Sequence, residues 1–218
     1  MSDYIKFLPS YLIKRYKNWK LTGYKKNRLW FNKIAIDGQN PSTMIISCCD
    51  SRIHVTSIFG EDKGEFFIHR NIANLVPPYN PDGDHHGTSA AVEYAVKILK
   101  VSQIIILGHS KCGGINSGYF LYKKGNSSKK NIFIDKWLNI LNPSVKKILS
   151  NNKSTSIAEE IQELEKESIK TSLQNLNNFP FIAKAITNKK LILYGLWHDI
   201  GSGNLECLDP ISYNFIKL

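Results

Sequence analysis

The sequence predicts an α/β fold, a mainly parallel β-sheet flanked by helices, with an N-terminal helical arm. Three observations point there. The runs TMIISC (43–48) and QIIILG (103–108) are rich in β-branched residues and bounded by turn residues, the pattern of parallel strands buried on both faces. Helix-periodic stretches separate the strand-like runs, which calls for right-handed crossovers and helices on both faces of one sheet. No apolar stretch approaches the roughly 20 residues that a membrane span needs.

Taken in order, Leu8, Leu12, Tyr16 and Trp19 recur at helical spacing and mark a basic amphipathic helix over residues 10–20. Such a stripe lies on a membrane surface or packs on its own domain or a partner subunit; packing is the expectation, and the sequence does not show what covers it. Residues 1–35 are read as a helical arm and 36–218 as a single α/β domain. After TMIISC comes FFIHR (66–70), a further strand. TSAAVEYAVKILK (88–100) places Ala91, Val92, Ala95, Val96 and Leu99 on one helical face, with Thr88 or Ser89 as its cap. KKGNSSKKN (123–131) reads as a loop. Ser156 and Glu159 form a capping-box pattern that opens a long helix over 156–177. LILYGLW (191–197) is a fourth strand, and Cys207 falls in a C-terminal one.

Composition narrows the class. With 218 residues, 42% hydrophobic and 22% charged, the chain is neither disordered nor a disulfide scaffold, and it buries roughly 70% of its unfolded surface. The formal charge is +11, concentrated in residues 1–33 and 121–153, but no recognition motif interleaves with the basic residues, so nucleic-acid binding is not expected. The stretch MSDYIKFLPSYLIKR lacks the apolar core of a secretory signal, and Cys48, Cys49, Cys112 and Cys207 are too few for a staple framework. A reducing cytoplasm is the expected compartment.

Two segments carry chemistry: Cys48-Cys49-Asp50-Ser51-Arg52 and His109-Ser110-Lys111-Cys112, each directly after a predicted buried strand. In an open parallel sheet, ligands bind beyond the carboxyl ends of the strands, so both segments fall on one rim. Cys48, His109 and Cys112 make a Cys₂His set. Thiolate and imidazole suit Zn²⁺, and three protein ligands with an open fourth position describe a catalytic rather than a structural zinc. Asp50, two residues beyond a ligand, can accept a hydrogen bond from zinc-bound hydroxide and turn its lone pair towards a substrate. Arg52 can hold that carboxylate ionised.

CxDSR, followed some sixty residues later by HxxCGG, resembles the β-class carbonic anhydrases. The resemblance extends over GEFFIHRNIANLVPPY (64–79), HGTSAAVEYAVKILKVSQIIILGHSKCGGI (86–115) and LILYGLWHDIGSGNLECLDP (191–210), or about residues 36–210. It implies a zinc-dependent interconversion of CO₂ and bicarbonate on a homodimer or larger homo-oligomer, with no stable membrane association. It implies that Cys48, His109 and Cys112 hold zinc and that Asp50 and Arg52 form the catalytic dyad. Gln39 matches a substrate-orienting glutamine, which with Tyr94 places the chain in the plant-like branch. Phe67, Ile72 and Tyr94 match the apolar wall of the CO₂ pocket, some of it supplied across a dimer interface, and the Gly113 N–H matches a donor to a substrate oxygen. Part of the family carries a second bicarbonate site of Trp, Arg and Tyr. Here Ile45 and His198 stand at the Trp and Tyr positions and only Arg70 matches, so bicarbonate is expected to bind as substrate or product alone, with Asp50 held by Arg52.

Other readings compete. Gly108–Cys112 partly mimics a nucleophile elbow, with His198 and Asp199 downstream, but the final glycine is missing and the order is wrong for that fold. The same zinc site would also suit hydrolysis of CS₂ or COS. His85 and His86 follow a turn and read as loop residues rather than proton shuttles, and His54, His69 and His198 as structural.

Overall fold

The computed structural model describes residues 4–60, 64–82, 86–125, 131–150 and 156–218. The chain divides into two compact units, Met1–Asn40 and Pro41–Leu218. The first holds α1 (Ser10–Trp19) and α2 (Arg28–Asp37), joined through a π turn over Lys20–Tyr24. An aromatic clasp closes the pair of helices: the Tyr24 and Phe31 rings stack at 5.2 Å, and Trp19 packs edge-on against Phe31 at 5.8 Å. Gly23 lets the indole approach, since a Cβ there would stand 3.1 Å from Trp19 Cδ1. Apart from these ring contacts, Leu8, Leu12, Tyr16 and Trp19 of the stripe remain exposed. Because α2 runs to Asp37, the division falls after Asn40 rather than at 35, and Gln39 belongs to the helical unit.

The second unit contains, among the described residues, one six-stranded sheet in the order β2-β1-β3-β4-β5-β6. Its strands are β1 (Thr43–Cys48), β2 (Phe66–Asn71), β3 (Gln103–His109), β4 (Ile192–His198), β5 (Leu205–Leu208) and β6 (Phe215–Lys217), and the unit's α-helices in chain order are α3 (Val55–Phe59), α4 (Gly87–Glu93), α5 (Gly113–Lys123), α6 (Ile134–Leu138), α7 (Asn142–Ser150), α8 (Ile157–Asn177) and α9 (Pro180–Thr187). The first four are parallel, and β5 and β6 add an antiparallel edge. Every residue of β1 is buried, as a central parallel strand requires.

Two apolar layers sandwich the sheet. On one face, Met44, Ile46, Ile104, Ile106 and Trp197 pack with Ile169, Leu176 and Ile182. These last come from α8 (Ile157–Asn177) and α9 (Pro180–Thr187). On the other face, Ile45, Leu107 and Leu196 pack with Ile53 and Val55. The capping box opens α8 as expected: the Ser156 hydroxyl accepts from the Glu159 N–H, and the Ser156 N–H donates to the Glu159 carboxylate.

The helix read over 88–100 needs correction. It is α4 (Gly87–Glu93) widening into a π turn over Tyr94–Ile98, and neither Thr88 nor Ser89 caps it. Thr88 is inside the helix, its hydroxyl engaged by His69 Nε2 at 3.0 Å and Asn71 Nδ2 at 3.3 Å, contacts that local propensity cannot show. Most of the loop read over 123–131 lies outside the described residues; Lys123 itself ends a helix, α5 (Gly113–Lys123).

Ile169 anchors α8 to the sheet by sitting over two glycines of adjacent strands. A Cβ on Gly108 would meet Ile169 Cδ1 at 2.7 Å, and one on Gly195 would meet Ile169 Cγ2 at 2.9 Å. Ile169→Ala is expected to lower stability by about 2–5 kcal/mol, because it removes buried methyl groups and leaves a cavity over glycine that has no side chain to refill it. A shift in the urea midpoint at constant m-value measures this.

Candidate metal centre

β1 and β3 run parallel with Ser47 opposite Leu107, so both strands end on the same edge. Cys48 closes β1, His109 closes β3, and Cys112 follows at the start of α5. All three are buried, and their ligand atoms lie within 4.8 Å of one another. The Cys48 and Cys112 sulfurs are 3.9 Å apart, too far for a disulfide and close to the roughly 3.8 Å edge of a tetrahedron with Zn–S arms of about 2.3 Å. His109 Nδ1 lies 2.9 Å from the Ser110 carbonyl and donates to it, which leaves the Nε2 lone pair free. That Nε2 is buried without a hydrogen-bond partner among the described residues. A buried acceptor with no donor, facing two sulfurs, fits a zinc ion.

The surroundings are built for sulfur anions. Cys112 receives N–H groups from Ile115 and Gly114 in the first turn of α5, and Cys48 from Asp50 and Ala73. Ala73 reaches it from a left-handed conformation, φ 66°, one that a non-glycine residue rarely adopts. Without metal the two sulfurs share a hydrogen bond, which drives the Cys48 thiol well down and, with burial, the Cys112 thiol up. The shared hydrogen bond thus eases ionisation of Cys48 at the expense of Cys112. For His109, burial opposes protonation, but a protonated Nε2 would face the Cys48 sulfur while Nδ1 meets the Ser110 carbonyl, and together these raise the pKa.

Beside the cluster, Arg52 grips Asp50 with both arms of its guanidinium: Nε to Oδ1 at 2.9 Å and Nη2 to Oδ2 at 2.7 Å. The Arg52 N–H adds a third bond to Oδ1 at 3.0 Å. Hydrogen bonding from Arg52 holds the carboxyl far below the usual carboxylate range. Arg52 Nη2 also donates to the Lys111 carbonyl at 3.1 Å, tying together the two loops that bear the ligands. Asp50 is thus held by Arg52 and is not part of the three-ligand cluster.

Ser110 is not a nucleophile. Its hydroxyl donates directly to Asp199 Oδ1 at 2.7 Å and accepts from the Ile200 N–H, with no imidazole between acid and hydroxyl. This removes the hydrolase-elbow reading. His54 and His86 each bond a neighbouring carbonyl, and His85 lies outside the described residues. Cys49 is exposed and Cys207 half-buried in β5.

The remaining candidates divide. Gly113 opens α5, where its N–H has no intrahelical acceptor. Ile72 is close by, its Cγ2 2.8 Å from where a Cβ on Gly114 would stand. Both belong to the metal edge. Phe67 does not. It pairs with Met44, whereas Cys48 pairs with Asn71, so it lies four residues back, about 13 Å down the strand. Tyr94 packs on it at 5.9 Å. Gln39 is exposed in the helical unit.

Sequence reading missed Glu165. Its carboxylate accepts from the Cys112 N–H at 3.0 Å and from the Trp197 indole at 3.3 Å; burial raises its pKa against these donors. The signal was an acid on the apolar face of α8, between Ile161 and Ile169 at helical spacing.

A buried Cys₂His cluster, one ligand short of a closed tetrahedral set among the described residues, on the ligand-binding edge of a parallel sheet, is the donor set of a zinc enzyme that activates water. Known proteins narrow this. The family model described as carbonic anhydrase matches residues 43–205. Beta carbonic anhydrase 3 of Arabidopsis thaliana is 34% identical over 189 residues, 87% of this chain and 72% of that protein. The solved β-carbonic anhydrase CcaA superposes with a TM-score of 0.88 at 27% identity, covering 96% of this chain and 91% of that one. CafA of Aspergillus fumigatus gives 0.78 at 32% identity, with 92% and 90% covered. The chain belongs to the carbonic anhydrase family, in its β class. Its reaction is the reversible hydration of CO₂ to bicarbonate and a proton, with zinc as cofactor.

Cys112→Ser replaces a thiolate with a neutral hydroxyl. Zinc affinity should fall by more than the roughly 10–100-fold typical of lost outer-shell contacts. Elemental analysis after dialysis should find the variant largely stripped of zinc, whereas the parent keeps about one ion per chain.

Proposed function

We propose that Cys48, His109 and Cys112 hold the zinc and that Asp50 and Arg52 are the working dyad of CO₂ hydration. The observation that carries this is the two-armed Arg52–Asp50 pair beside the three-ligand cluster. Zinc, when bound, would supply a Lewis acid that lowers the pKa of a coordinated water towards neutrality. The chain does the rest. Asp50 Oδ1 is occupied by two donors from Arg52, and Oδ2 by one. Oδ2 keeps a lone pair with which to accept a hydrogen bond from the attacking water, so that the oxygen lone pair points at CO₂. Arg52 keeps Asp50 ionised, hence an acceptor only. Ile72 supplies an apolar wall for CO₂, and the Gly113 N–H donates to an oxygen of bicarbonate as charge develops there.

We read Phe67, Tyr94 and Gln39 as the other half of the pocket, delivered by a second copy of the chain. In support, Phe67 stands about 13 Å from the metal edge along its own strand, too far to line its own chain's site. Homo-oligomers are consistent with relatives: a β-carbonic anhydrase of Sordaria macrospora, 30% identical with a TM-score of 0.74 over 91% of this chain and 95% of that one, is described as tetrameric. Residues 1–40 serve in this reading as an assembly arm, and residues 41–218 as the catalytic domain. Among the described residues no helix is long and apolar enough to cross a membrane. Four free cysteines suit a reducing compartment, and we place the protein in the cytoplasm on that ground.

Stopped-flow CO₂ hydration, with and without a strong zinc chelator, tests the reading. Asp50→Asn keeps the shape but puts an amide where an acceptor is needed, so kcat should fall about 10²-fold with zinc retained. Near-normal turnover would remove Asp50 from the mechanism. The shared pocket has its own test. Phe67→Ala and Cys112→Ser chains, each weak alone, should recover activity when refolded together, because a mixed dimer contains one site with both halves intact. No gain on mixing would place the whole pocket within one chain.

A further inference from the structure

Arg70, the only match to a second anion site, has its donors turned elsewhere. From the end of β2, Nε donates to the Cys48 carbonyl at 2.9 Å, and Nη2 donates to the carbonyls of Asp50 and Ile53, both at 2.8 Å. One planar guanidinium thus ties down a metal ligand, the acid of the dyad and the residue that follows Arg52. We propose that Arg70 is the positioning residue of the Asp50–Arg52 pair, setting the aim of the Asp50 carboxylate without touching substrate or metal. The inference rests on the reading of Asp50 given above.

The physical argument is rigidity. A peptide unit is planar, so fixing a carbonyl oxygen fixes the whole unit. Holding the carbonyls of Cys48 and Asp50 leaves only the dihedrals of Cys49 and Asp50 between two anchored planes. The third tie, at Ile53, anchors the chain beyond Arg52. Within that span the Arg52 N–H donates to Asp50 Oδ1, and the Ile53 N–H to the Asp50 carbonyl at 3.0 Å. Arg52 itself is about half exposed, its side chain 48% accessible, and outside the turn it donates only to the Lys111 carbonyl among the described residues. Arg70 is half-buried beneath it. Lysine would offer three protons from one nitrogen, a point charge that does not match three carbonyls spread along a fork.

The experiment uses the zinc-loaded protein and four variants: Arg70→Met, Arg70→Lys, Asp50→Asn, and Arg70→Met combined with Asp50→Asn. Turnover, KM for CO₂, zinc content and hydrogen exchange of the Arg52 amide are read for each. Arg70→Met should lower kcat about tenfold or more with zinc content unchanged and KM within about twofold, the signature of lost alignment rather than lost binding. The Arg52 amide should exchange about tenfold faster or more, because its acceptor is no longer held in place. Arg70→Lys, which keeps the charge, should restore only part of each. In the Asp50→Asn background, Arg70→Met should change kcat by less than about twofold, since a residue acting through Asp50 has nothing left to aim. Full multiplication of the two losses, or unchanged kcat and amide exchange in Arg70→Met, would overturn the proposal. Were Arg70→Met not to fold, unchanged kcat and exchange in Arg70→Lys would do so. Normal turnover of Asp50→Asn alone would overturn the reading of Asp50 instead, whereas the amide exchange would still report whether Arg70 holds the loop.

Discussion

Two sulfurs 3.9 Å apart in a buried pocket form the constraint to which the rest of the site answers. Neither thiolate is tolerable there unless backbone donors and a cation offset its desolvation. Each nearby irregularity has a part in that compensation. Ala73 takes a left-handed conformation and gives its N–H to Cys48. Gly114 is bare, so that Ile72 and Ala73 can close over the first turn of α5 while its N–H groups meet Cys112. A helix N-terminus carries partial positive charge, and Cys112 occupies its cap position. Glu165 completes the arrangement from behind by accepting the Cys112 N–H.

The scaffold was legible where local pattern and burial agree. The β-branched, largely apolar centres of β1 and β3 read as buried strands, and the Ser156–Glu159 pair marked the start of α8. The metal cluster was legible because strand ends in a parallel sheet share an edge, so residues sixty apart in sequence become neighbours in space. Features that depend on distant partners were not. Thr88 looked like a helix cap until His69 and Asn71 claimed its hydroxyl. Glu165 is 53 residues beyond Cys112, and only the position of an acid on an apolar helix face hinted at it. Arg70 looked like a remnant of an anion site, because side-chain identity says nothing about which carbonyls a guanidinium will meet.

The sheet also separates two kinds of chemistry by strand direction. Its carboxyl edge gathers charge: thiolates, imidazole, the Asp50–Arg52 pair and Asp199. The Phe67–Tyr94 pair, near the opposite edge, is apolar and partly exposed. A small nonpolar gas that must react with a charged oxygen needs both environments within a few ångströms. One copy of this sheet holds Phe67 and Tyr94 apart from that edge, and the shared pocket proposed above would join them by assembly rather than by folding.

Helix α8 joins the interior of the protein to its chemistry in a way that sets terms for sequence divergence. Ile169 fills the space left by Gly108 and Gly195, and one turn earlier on the same helix Glu165 holds the backbone of a metal ligand. Adding volume at either glycine would lift the helix, and the lift would be felt at Cys112. The three positions therefore form one volume-conserving set, in which a methyl group gained on the sheet must be surrendered by the helix. Drift in this part of the core is policed by metal retention as well as by stability, which ties the pace of change in an apolar layer to the upkeep of a zinc site.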